Sequence, residues 1–353
     1  MRTDLKRFLQ RAALGAGAAA MLAGAAPQAL AWGATGHRLI GRMALEALPA
    51  GLPAFLYTPE AVEAVGELAR EPDRWKGAGK LLDATRDPAH FVDVDDAGRI
   101  EGGPALNALP PTRSEYDAAL KAVNSDSFHA GYLPYSIVDG WEALERDFTL
   151  WRIETAAIAI EKDPEHKAWM QRDLKRREAL TLADLGEWAH YVGDGSQPMH
   201  VSVHHNGWGD FPNPHGYTQD RIHAYFEGAF VSNNVTEAAV LTAMPAPNSC
   251  PPTTASAETA VAACTARYLA ATASTTEPLY ALQKAGGFTG ADPRGIAFAT
   301  QRIAAGAAEV RDLILSAWTA SATSTAGYPP ITPAQAADQA PQGDAYDRLF
   351  GED

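Results

Sequence analysis

The stretch WAHYVGDGSQPMH, residues 188–200, decides how the chain is read. His190 and Asp194 stand four apart, so on a helix they share one face. A helical pattern runs from about 165 to 193, opening just after Pro164. Pro198 ends that helix or starts the next turn, and His200 follows it closely. A second pair with the same spacing, His223 and Glu227, lies in RIHAYFEG (221–228). Imidazole and carboxylate together, without thiolate, suit zinc and other borderline divalent ions. Two capped or salt-bridged His/acid pairs are the plain alternative.

Working outward, the chain reads as mostly helical. HRLIGRMALEAL (37–48) has apolar residues at helical spacing and stops at Pro49. A short helix is expected over 59–69, with Pro at its start. Residues 87–112 are rich in Asp, Gly and Pro and read as loop; 115–123 read as a weak helix. Helical patterns follow over 138–160, 219–231, 258–284 and 291–319, with a turn-rich loop at 206–217 and a Pro/Ser/Thr-rich stretch at 244–257. The alternating HFVDVDD (90–96) fits a short strand, but one strand makes no sheet. The expected fold is therefore all-α, one multi-helix domain over about residues 32–320. The Ala/Pro/Thr/Gln-rich residues 321–353 read as a flexible tail.

The composition excludes several classes. The 353 residues are enough for a sizeable core, and 46% hydrophobic with 20% charged is not the balance of a disordered chain. A formal net charge of −14 argues against a protein that holds nucleic acid on a broad basic surface. Two cysteines exclude a Cys-rich zinc module.

Residues 1–31 read as an export signal: Lys6, Arg7 and Arg11, then an uncharged Ala/Gly/Leu run, then the A-x-A site Ala29-Leu30-Ala31. A transmembrane anchor is the rival reading, but the run is short and ends at Pro27. Cleavage would leave a chain of charge −17 that starts at Trp32 with a free α-amine. Export places the protein in a periplasm or outside the cell, and there a Cys250–Cys264 disulfide is favoured over free thiols.

Three further candidates lie upstream: His37 in WGATGH (32–37), Asp73 in EPDRWKG (71–77) and His90 in DPAHFVDVDD (87–96). The set WGATGH, PDRWK, HFVDVDD, HYVGDGSQPMH and HAYFE resembles the zinc-dependent S-one/P-one nuclease family and its relative, the zinc-dependent bacterial phospholipase C. The resemblance spans residues 32 to about 231, and more loosely the helices beyond. It implies an all-helical fold with three Zn²⁺ ions in a cleft. Asp73, His90, His190 and Asp194 would hold one ion. His200, His223 and Glu227 would hold the second. The amine and carbonyl of Trp32, with His37 and a bridging Asp194, would hold the third.

Nine residues shared among three ions leave positions open for water and substrate, the mark of catalytic zinc. Three divalent ions outweigh the carboxylates Asp73, Asp194 and Glu227 by about three positive charges, enough to draw a phosphodiester to an acidic chain. The implied reaction is attack on phosphorus by a metal-bound hydroxide, with Asp73 and Lys76 as catalytic groups.

The features that flank the phosphate favour a nuclease acting on single-stranded DNA and RNA, and the resemblance allows 3′-nucleotidase activity as well. Trp32 and His37 are five apart with Gly36 between, and the His200–His223 interval is long, both as in the nucleases. Lys76 falls where the nucleases carry an Arg; it would meet phosphate as a point charge. Phe91 and Asp93 match residues that stack on a base and bond its edge, although the phospholipase has His-Phe-x-Asp there too. Two departures stand out. Glu227 occupies a position that is Asp in the nucleases and Glu in the phospholipase. The segment from His90 to His190 is longer by roughly forty residues, and GYLPYSIVDGWEALERDF (131–148) within it is expected to form an added helix pair or a lid. His129, His204, His205 and His215 match no ligand of the family; His204 and His205 lie close enough in sequence to reach substrate. A zinc-dependent phospholipase C and a non-catalytic zinc-binding module remain alternatives. No stable protein partner and no membrane span is expected, and the protein should be a monomer.

Overall fold

A computed structural model describes residues 32–248, 250, 257–328, 330–338 and 346. The export signal read over 1–31 lies outside the described residues, as does most of 339–353. The described part is all-α: Val94 with Ile100, Arg99 with Ala105 and Ala326 with Ile331 form isolated bridges, and among the described residues these are the only strand-like pairings. HFVDVDD thus contributes one bridge at Val94 rather than a strand, because its neighbours turn back through an Asp95-capped loop.

Six helices carry the architecture: α1 Gly33–Glu46, α2 Pro59–Leu68, α3 Leu133–Ile160, α4 Pro164–Asp194, α5 Ala257–Ala273 and α6 Pro293–Ala320. Their starts follow from local chemistry. Thr58 accepts the Ala61 N–H with Pro59 behind it, Asp163 accepts the Glu165 and His166 N–H groups before Pro164, and Asp292 accepts the Arg294 N–H before Pro293. The three residues between α3 and α4 fold the pair into an antiparallel hairpin.

α1 is the central helix. It packs against α2, α4 and α6, and buries His37, Ile40, Met43 and Ala44 among them. α3 sends Leu133, Ile137, Trp141, Leu144 and Phe148 into the same core. The segment 131–148 is therefore a structural helix of the core, not a lid. Gly140 allows its close crossing with α4: a Cβ there would meet the Trp188 ring at 1.9 Å.

Two further expectations need correction. The helix read over 258–284 breaks at Ser274–Thr275, and a separate helix Thr276–Lys284 follows. Residues 321–328 and 330–338, read as the start of a flexible tail, are folded onto α3: Ala326, Ile331 and Ala336 pack against Ile153, and Thr332 caps a short helix Pro333–Ala337 through a capping box with Gln335. These are small apolar residues spaced too irregularly to show a helical period. Helices at Glu71–Arg74, Lys80–Arg86, Ser127–Ala130 and Glu237–Ala243 are too short for the periodicity to reveal. The two cysteines do form a Cys250–Cys264 disulfide. No helix among the described residues is long and apolar enough to cross a membrane.

Candidate metal centre

Six separate elements meet at one cleft. α1 brings His37; the short helix Glu71–Arg74 brings Asp73, with Lys76 just beyond it; a 3₁₀ turn, Asp87–His90, brings His90. The last turn of α4 brings His190 and Asp194, and the 3₁₀ turn Pro198–His200 brings His200. His223 and Glu227 come from the start of a helical segment that widens into a π-helical turn over Tyr225–Phe230. The C-terminal end of α4 adds the negative end of its dipole, which favours cations.

Three groups have ligand atoms within 4.8 Å of one another: His37 with His190 and Asp194; Asp73 with His90 and His190; His200 with His223 and Glu227. Apart from Asp73, which is half-buried, all of these side chains are buried. His190 and Asp194 belong to more than one sphere of contact. Asp194 Oδ1 lies 3.5 Å from His37 Nε2 and 3.8 Å from His200 Nδ1, while its Oδ2 lies 3.3 Å from His190 Nε2. Asp194 is thus the carboxylate that touches both ends of the cluster.

Four histidines are held in the same way. His90 Nδ1 faces the Arg86 and Asp87 carbonyls at 3.2 and 3.1 Å; His190 Nδ1 donates to the Ala69 carbonyl at 2.8 Å; His200 Nδ1 to His90 O at 2.7 Å; His223 Nδ1 to His205 O at 2.6 Å. A carbonyl oxygen only accepts, so each Nδ1 carries a hydrogen, and this fixes the ring with its Nε2 edge turned away from the main chain. The Nε2 edges of His190, His200 and His223 turn toward carboxylates. His223 Nε2 is 2.6 Å from Glu227 Oε1, and His200 Nε2 is 3.2 Å from the same oxygen. Two acceptors at such a distance repel unless a proton or a cation lies between them.

Several buried atoms of the cleft have no hydrogen-bond partner: both ring nitrogens of His37, Nε2 of His90 and His190, both oxygens of Asp194, and Oε2 of Glu227. Orphaned polar atoms of this kind are costly in a native protein. Imidazoles fixed on one side by the main chain, beside carboxylates with unpartnered oxygens, fit divalent metal ions.

The ionisation of the cleft follows from its burial and its pairs. Burial, with His190 alongside, lowers His37 to about 3. Burial, then Lys76, also pushes His90 well down. Burial alone would lower His200, but Asp194 and Glu227 outweigh it and raise the imidazole to about 9. Burial would raise Glu227, yet His223 and His200 bring it to about 2. Asp194 is held far below the usual carboxylate range, because His190 and His200 overcome its burial. Lys76 Nζ sits 2.7 Å from Asp73 Oδ1, and this carboxylate keeps the ammonium charged against its burial.

Trp32 is seated at the same place. Its indole Nε1 donates to Gly193 O and Ser196 Oγ, both at 2.9 Å, and its carbonyl accepts the Gly36 N–H at 3.1 Å. Gly33 holds φ at +46°, and a Cβ there would come within 3.0 Å of the Glu227 carbonyl oxygen. The residue after the proposed cleavage site therefore lies against the His223/Glu227 element.

The remaining candidates divide. Asp93 is buried at the edge of the cleft with Oδ1 unpartnered, and burial raises its carboxyl well above the usual range. His205 Nδ1 stands 3.8 Å from that carboxylate, and its ring is exposed. Phe91 is half-buried next door, its carbonyl accepting the Leu133 N–H at 3.1 Å. His204 points the other way: Nδ1 meets Trp208 O at 2.7 Å, Nε2 meets Asp96 Oδ1 at 3.0 Å, and the ring stacks on Trp208. It is a structural histidine. His129 bonds Asp126, and His215 lies 3.4 Å from Glu277, both exposed and apart from the cluster. The sequence reading did not find Gln197, which is fully buried and bonded to Glu227; a Gln between two ligand motifs carries no spacing signal.

No family model, no curated protein and no solved structure matches the chain.

Proposed function

We propose that this protein is an exported, zinc-dependent phosphodiesterase of the S-one/P-one nuclease type, hydrolysing single-stranded DNA and RNA. The observation that carries it is the convergence of His90, His190, His200 and His223, each fixed through Nδ1 by a main-chain carbonyl, on buried carboxylates, with Nε2 of His90 and His190, both oxygens of Asp194 and Oε2 of Glu227 left unpartnered. Asp73, His90, His190 and Asp194 would hold one ion, His200, His223 and Glu227 a second, and Trp32, His37 and Asp194 a third. Bound there, the ions supply a lowered pKa for water and positive charge for the phosphate.

The chain's own groups then divide the work. Asp73 orients the Lys76 ammonium at the cleft, where it neutralises a phosphate oxygen. Phe91 offers a half-buried ring for stacking on an unpaired base. Asp93, with a free acceptor atom, bonds the donor edge of that base.

Beside Glu227, a phospholipase C reading has one structural observation in its favour. The helix Lys80–Arg86, just beyond Lys76, exposes Leu81 and Leu82 to solvent, 86% and 50% respectively, which would suit a lipid surface. One experiment separates the readings: zinc-loaded protein lacking residues 1–31, assayed side by side on single-stranded DNA, RNA and phosphatidylcholine vesicles. Cleavage of the nucleic acids supports the nuclease. Cleavage of the lipid alone overturns it, and stoichiometric zinc with no turnover on any substrate identifies a binding module.

A further inference from the structure

Gln197 is fully buried beside the His200, His223 and Glu227 group. Its Oε1 accepts the Met199 N–H at 2.7 Å, and its Nε2 donates to Glu227 Oε1 at 2.5 Å. The orientation of the amide is unambiguous, because one end faces a donor and the other an acceptor-only carboxylate. Glu227 Oε1 is thereby crowded by Gln197, His223 and His200, while Oε2 is buried with no partner at all.

We propose that Gln197 is a positioning residue for the metal site of His200, His223 and Glu227. It occupies one lone pair of Oε1 and fixes the carboxylate torsion, so that Glu227 meets an ion in a single geometry. The same amide ties that carboxylate to the turn that carries His200, since Met199 is the residue before it. One side chain therefore sets the distance between two ligands that come from different parts of the chain. Partners of this kind typically change metal affinity by about 10–100-fold. The inference rests on the metal-binding reading given above.

The test is Gln197→Met, which keeps the volume and removes both hydrogen bonds. Metal-free and metal-loaded forms are compared by thermal melting, by Zn²⁺ titration against a competing chelator, and by the visible absorption of the Co²⁺-loaded protein. The expected result is selective: one of the bound ions loses at least tenfold in affinity, the other sites are unchanged, and the cobalt bands of the weakened site shift. A purely structural role would lower the melting temperature of the metal-free protein and leave the Co²⁺ spectrum alone. Unchanged zinc affinity and cobalt spectrum in the folded variant overturn the assignment. Should Gln197→Met not fold, Gln197→Asn keeps the amide but withdraws it by one methylene, and the same outcomes decide. Wild-type protein that binds no Zn²⁺ or Co²⁺ removes the metal reading itself; wild type with full metal and an unchanged variant removes only Gln197.

Discussion

His204 turns inward and His205 outward, although they are neighbours in sequence. The difference is made by partners far away in the chain, Asp96 for one and Asp93 for the other, which is why the two could not be told apart from the sequence. His204→Phe should cost about 1–3 kcal/mol of stability, through the buried Trp208 carbonyl left without its partner, with bound metal unchanged by elemental analysis. Asp194→Asn should do the opposite. The carboxylate touches His37, His190 and His200, so its loss should release at least one ion and reduce phosphodiester hydrolysis more than any other ligand change. A variant that keeps its metal and its rate means that Asp194 bridges nothing. His190 with Asp194 and His223 with Glu227 were legible as four-residue spacings, because a helix converts spacing into a shared face. His37, Asp73 and His90 have no such local signal; the resemblance suggested them, and only the fold brings them to the same cleft.

At the level of elements, the α3–α4 hairpin presents the clearest conflict between sequence and packing. Its seam holds Glu154, fully buried beside Asp173 and Arg177. Burial, reinforced by Asp173, raises the Glu154 carboxyl to about 8. In the unfolded chain the group titrates near its ordinary value of about 4.3. The folded state therefore holds a proton that the unfolded state has released. This contribution is fully present below that value and is lost as pH rises toward 8, so it makes stability fall across the window. Glu154→Gln should flatten the change in melting temperature between pH 5 and pH 8; a variant with the same slope as wild type contradicts the buried protonated state. The helix itself was legible over 138–160, and its true start at Leu133 was hidden by Pro134, which sits harmlessly in the first turn. The π-helical turn at Tyr225–Phe230 left no trace in the pattern, since one extra residue in a turn does not disturb apolar spacing over so short a span.

For the whole molecule, the proposed function raises the question of how an acidic chain would gather an anionic substrate. The chain carries a formal −14, so any attraction for a phosphodiester must come from charge held locally in the cleft. Lys76 supplies one positive charge there, and bound divalent ions would supply the rest. The beginning of the domain belongs to the same arrangement, because Trp32 is locked beside Gly193 and Ser196. Protein in which cleavage after Ala31 is blocked should carry one zinc fewer per molecule than protein that starts at Trp32; equal metal content would remove Trp32 from the ligands. The most direct measurement is the metal content of the folded chain from Trp32 onward, purified and reconstituted with Zn²⁺, together with its hydrolysis of bis(p-nitrophenyl) phosphate. Three zinc ions per chain are expected, with turnover abolished by a chelator and restored by zinc. A well-folded protein that retains no zinc after reconstitution would show that the buried imidazoles and carboxylates are satisfied by protons alone.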